Sequence, residues 1–93
     1  MNLHDQRNGS RFLDARRIER QVLRIAQRMG LVGDPYADFV PEVGTLAQER
    51  TILEILISMR PRPRTDEERR IAGDMARSIV LTHNDQATAG WWR

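Results

Sequence analysis

The sequence predicts an all-α fold: a small three-helix domain with a long loop between helices 1 and 2. Three observations predict it. Apolar residues recur at helical spacing in three separate stretches, Thr-based capping patterns open two of them, and segments rich in Gly or Pro divide them. The chain has 93 residues, which fit one domain and leave no room for two. Residues 1–10 read as a flexible polar leader, 11–84 as the three-helix domain, and 85–93 as a C-terminal tail ending in Trp-Trp-Arg.

The first helix is expected from about Arg11 to Met29. At about 100° per residue, Ala15, Ile18, Val22, Ile25, Ala26 and Met29 fall on one face. Gly30 follows at once, where a left-handed cap needs a residue without a Cβ. Leu31 to Gly44 then holds two Gly, two Pro and three acids, with Asp34-Pro35 as a turn signal. This connection is long for a helical domain. It is expected to pack through Val32, Tyr36, Phe39 and Val40, because four large apolar side chains exceed what a solvated loop normally carries. The other reading is a mobile binding loop.

Thr45 opens the second helix, with Gln48 at capping-box spacing. Its apolar residues (Leu46, Ile52, Leu53, Ile55, Leu56, Ile57 and Met59) spread so widely around the axis that the helix needs cover on more than one side. It is expected to be the central helix of the domain or part of a dimer seam. The run Arg60-Pro61-Arg62-Pro63-Arg64 stops it, since each Pro removes a donor and biases its predecessor toward extended geometry. Thr65 starts the third helix, with Glu68 at capping-box spacing and acids in the first turn that suit the helix dipole. Ile71, Ala72, Met75, Ala76, Ile79 and Val80 make its apolar face, and fraying is expected near Thr82 to Asn84.

Composition narrows the chemistry. There is no Cys, which removes disulfides and thiolate metal sites, and two His residues are too few for a His-rich site. A chain this short buries only about 60–65% of the surface its unfolded form exposes, so its stability margin is thin. Oligomerisation is the support left, and a homodimer is expected over a monomer. Met1 to Ser10 lacks the apolar stretch of a secretory signal, and no apolar run approaches the ~20 residues of a membrane span. No membrane association and a cytoplasmic location are expected.

All fifteen basic residues are Arg, and the net charge is +2. Residues 1–30 carry seven Arg against three acids, 31–59 one against five, and 60–93 seven against five. On the first helix Arg16, Arg17, Arg20, Arg24 and Arg28 gather opposite the apolar stripe. Like charges four residues apart repel by a few tenths of a kcal/mol per pair. The bland explanation is a solvated face, or pairing with the acidic middle of the chain. The functional one is a docking face for an acidic protein surface or for phosphates. Arg60, Arg62 and Arg64 stand on a segment expected to be extended. It reads first as a linker that stops a helix, and second as a strand that could follow a nucleic-acid backbone. Trp91 and Trp92 suit a tail packed on the core and a partner anchor equally well.

His83 falls within the apolar arc of the third helix and is expected to be a satisfied imidazole near a helix end, not a base or ligand. A Cys nucleophile, a Gly-rich phosphate loop and a His pair at metal spacing are all missing. The expectation is a non-enzymatic, cofactor-free adaptor or regulator that docks on an acidic surface of a larger protein through the Arg face, aided by the Trp tail. The alternative is a nucleic-acid-binding accessory protein that uses the Arg face with the Arg-Pro segment.

Overall fold

A computed structural model describes the backbone of residues 3–37 and 44–90, and side chains over 15–37 and 44–84. It contains three helices and, among the described residues, no strand: α1 (Leu3–Arg28), α2 (Leu46–Ile57) and α3 (Asp66–Gly90). The connection between α1 and α2 is long, as its Gly, Pro and acid content predicts. Phe39 and Val40 lie outside the described residues.

α1 starts at Leu3, not near Arg11, so the stretch read as a leader carries helical backbone. Its residues include no Pro, and a single Gly costs only about 1 kcal/mol in a helix. α3 likewise runs on to Gly90, past the expected fraying at Thr82 to Asn84.

The end of α1 follows the cap that Gly30 predicts. Gly30 has φ +82°, its amide donates to the Gln27 carbonyl at 3.0 Å, and the Leu31 amide donates to the Ala26 carbonyl at 2.9 Å. This pair of bonds is a Schellman motif, and half-buried Leu31 supplies its apolar contact with the core. At α2 the capping box closes both ways: Thr45 Oγ1 accepts from the Gln48 amide at 3.2 Å, and Gln48 Oε1 accepts from the Thr45 amide at 2.7 Å. At α3 the box is shifted by one residue. Thr65 Oγ1 accepts from the Glu68 amide, while the Glu68 carboxylate accepts from the Arg64 amide.

α1 and α3 run in the same direction and pack side by side, and α2 runs antiparallel to both. Arg17 lies beside Arg64 and Glu68 at the start of α3, whereas the residues just after α1 meet Thr82 and His83. The core is formed by Ile18, Val22, Ile25 and Ala26 of α1, Ile52 and Ile55 of α2, Met59 after it, and Ala72, Met75, Ala76, Ile79 and Val80 of α3. On α1 and α3 each of these is a residue the periodicity predicts, but Met29, predicted with them, is exposed at the helix end, and Ala15 and Ile71 are only half-buried.

The central helix is α3, not α2: α3 packs against both others, while α1 and α2 meet at one edge. Ala72 and Ala76 let neighbouring backbones come close to α3. The wide apolar arc of α2 is covered on one side only, leaving Leu46, Leu53 and Ile57 exposed.

Candidate functional site: an arginine-lined groove

The guanidinium groups on α1 follow from its wheel. Four of its core residues take one face, so Arg16, Arg17, Arg20 and Arg24 face outward, and all four are exposed. The chain path then brings a fifth Arg to them. Arg60 closes α2: its Nη1 donates to the carbonyls of Ile57 and Met59, both at 2.7 Å. Gln21 of α1 donates from Nε2 to the Arg60 carbonyl at 2.5 Å, which ties the α2–α3 connection to the Arg face. The Arg60–Pro61 peptide bond is cis and the chain bends there. The segment expected to be extended is therefore turned at its start, with Pro61 against α1.

Arg16, Arg17, Arg20, Gln21, Arg24, Arg60 and Pro61 line a groove of about 410 Å³. Its lining, among the described residues, contains no carboxylate. Among the described residues, which leave out Asp38 and Glu42 of the acidic middle, Arg17, Arg20 and Arg24 form no ion pair. Ion pairs among the described residues join Arg69 with Asp66, Arg70 with Asp74, and Arg77 of α3 with Glu49 of α2 at 2.6 Å.

Two smaller cavities flank the groove. On one side Arg16 and Arg20 share about 390 Å³ with Ala15, Glu19 and Tyr36. The Tyr36 hydroxyl donates to Glu19 Oε2 at 3.3 Å, and the Tyr36 amide donates to Asp34 Oδ1 at 2.9 Å. On the other side Arg17, Pro61, Arg62, Arg64 and Glu68 surround about 330 Å³. Of the eight Arg residues the sequence singles out, five therefore share one groove, and Arg62 and Arg64 border it through Arg17. Arg28 lies one turn beyond Arg24 and does not line it. Trp91 and Trp92 lie outside the described residues.

The α1–α2 connection is held differently from expectation. Val32 and Tyr36 are each 72% exposed, so their side chains do not pack it down. The anchor is Gly33, which is buried against the α3 backbone: a Cβ there would stand 1.9 Å from the Ile79 carbonyl oxygen and 2.8 Å from the His83 amide nitrogen. This close approach turns the neighbouring side chains outward. Half-buried His83 accepts from the Val32 amide through Nδ1 at 3.2 Å, so it is a satisfied imidazole, placed inside α3.

Groove and connection together make a concave, cationic surface with a polar rim, held by side-chain bonds to backbone groups. Among the described residues no three His, Asp or Glu side chains stand together to hold a metal ion, and no helix is long and apolar enough to cross a membrane. The chain matches no known family, no curated protein and no solved structure.

Proposed function

We propose that the protein is a small non-enzymatic adaptor or regulator that docks a cluster of acidic side chains of a larger protein in the Arg-lined groove. One observation carries the reading: Arg16, Arg17, Arg20 and Arg24 of α1 and Arg60 from a distant part of the chain converge on one groove whose lining, among the described residues, holds no carboxylate. Guanidinium groups match carboxylates in bidentate geometry, and several together favour a partner that presents several acids.

The borders of the groove favour a protein partner over nucleic acid. Glu19 closes one flank and Glu68 the other. The cationic surface is thus short, sized for a local acidic cluster and interrupted for a long phosphate backbone. The net charge of +2 is also small for a dedicated nucleic-acid binder.

Co-purification of the tagged protein from its native host, with and without nuclease, tests this. A stoichiometric protein partner that survives nuclease and is lost from the Arg20→Gln/Arg24→Gln variant is expected. Recovery of nucleic acid, abolished by nuclease and by the same variant, would transfer the groove to the nucleic-acid reading.

A further inference from the structure

The outer face of α2 carries three large exposed apolar side chains: Leu46 at 90% exposure, Leu53 at 59% and Ile57 at 56%. Spacings of seven and four residues align them along the whole helix, with Arg50 in the same line between Leu46 and Leu53. At about 100° per residue this line lies roughly opposite Ile52, Ile55 and Met59, so the chain's own core cannot reach it. Glu54 lies next to the line, on the side toward which Arg50 leans. Both are exposed, and among the described residues neither has an ion-pair partner. Glu49, on the other side, is held by Arg77.

We propose that this face is the seam of a two-fold dimer in which α2 packs antiparallel against α2 of a second copy. A second copy is the occupant because the pattern is complementary to itself. When Leu46 is set against Ile57 of the other chain, each Leu53 lies over the aliphatic stem of the other chain's Arg50. Each Arg50 guanidinium then comes within reach of the other chain's Glu54, and the two-fold axis makes that pairing twice. Parallel packing would instead bring Arg50 toward Arg50 and carry the two Glu54 to opposite sides of the seam, away from each other. Antiparallel packing also sets the positive end of each helix dipole beside the negative end of the other.

Size sets the strength. A standard interface takes about 800 Å² from each partner. A helix of 12 residues is only about 18 Å long and 10–12 Å across. The seam therefore supports a weak, reversible dimer, not a permanent one. None of its residues lines the Arg groove, so each surface can fail independently of the other.

Sedimentation velocity between about 1 μM and about 1 mM is the test, this being the range in which weak association is resolved. A monomer–dimer equilibrium is expected. Leu53→Glu should raise its dissociation constant at least about tenfold while leaving the melting temperature of the dilute protein unchanged. Arg50→Glu and Glu54→Arg should each weaken the dimer, and the double reversal should restore it. Because the chain has no Cys, a second measurement is clean: a Leu46→Cys chain mixed with an Ile57→Cys chain should cross-link on oxidation more than either alone. A monomer throughout the range, a dimer indifferent to Leu53→Glu, or failure of the double reversal to restore association overturns the proposal.

Discussion

Gly33 and Ile55 show how much of this fold rests on single positions. Gly33 lets the α1–α2 connection lie directly on the backbone of α3, where any Cβ would stand 1.9 Å from the Ile79 carbonyl oxygen. The obstacle is backbone and cannot swing aside. Gly33→Ala should therefore cost at least about 1–3 kcal/mol, the range for forcing an added methyl into a packed site. Thermal melting measures the loss, and faster hydrogen exchange at the Val32 amide should accompany it as the bond to His83 opens. Ile55 is fully buried. Ile55→Asp places a carboxylate where neither water nor a cation meets it, at a cost of several kcal/mol against a total stability of about 5–15 kcal/mol. The expected result is loss of cooperative unfolding by circular dichroism; a normal melt would show that α2 is packed in another orientation.

Among the elements, α1 divides its work most cleanly, with core on one face and guanidinium groups on the other. Arg20 and Arg24 make no ion pair among the described residues, so replacing both with Gln should change stability by no more than about 0.5 kcal/mol while weakening partner binding. A fall of many degrees in melting temperature would mean that these side chains hold the fold together. The capped ends and most of the apolar faces were legible in the sequence because their causes are local, whereas the start of α1 at Leu3 and the end of α3 at Gly90 were not. Gly30 is followed by the bonds of a Schellman motif, Thr45 and Gln48 satisfy one another, and Ile18, Val22, Ile25 and Ala26 repeat at the helical period. The α1–α2 anchor was not legible, because the need for Gly at position 33 arises from carbonyl and amide groups of residues 79 and 83, far along the chain. The exposure of Leu46, Leu53 and Ile57 escaped for a similar reason: a wheel shows which residues are apolar and not which side a neighbour covers.

At the scale of the molecule, the groove depends on the path of the chain. Position 60 comes from between α2 and α3, and only the return of α2 alongside α1 brings it to positions 16–24. The eight Arg residues were visible in the sequence, but not that five of them meet. Their meeting has an energetic consequence. Arg17, Arg20 and Arg24, which make no ion pair among the described residues, repel one another around this groove of about 410 Å³, and salt screens that repulsion over about 10 Å at 0.1 M. Stability should therefore rise, not fall, when salt is raised from about 10 mM to 150 mM, by about 1 kcal/mol or a few degrees in melting temperature. The Arg20→Gln/Arg24→Gln variant should lose most of that salt response. Scanning calorimetry of the two proteins at both salt concentrations decides the point.

Tyr36 is the only tyrosine in the chain, and its exposed ring borders the cavity that Arg16 and Arg20 share with Glu19. The position makes it a built-in reporter. Protein grown with fluorotyrosine would give a single fluorine resonance, placed beside the groove yet making none of its cationic contacts. Titration with an acidic partner should shift that resonance in proportion to occupancy, whereas self-association through α2 should leave it in place. One spectrum would thus count two kinds of encounter separately, with no label added to the surface that makes either.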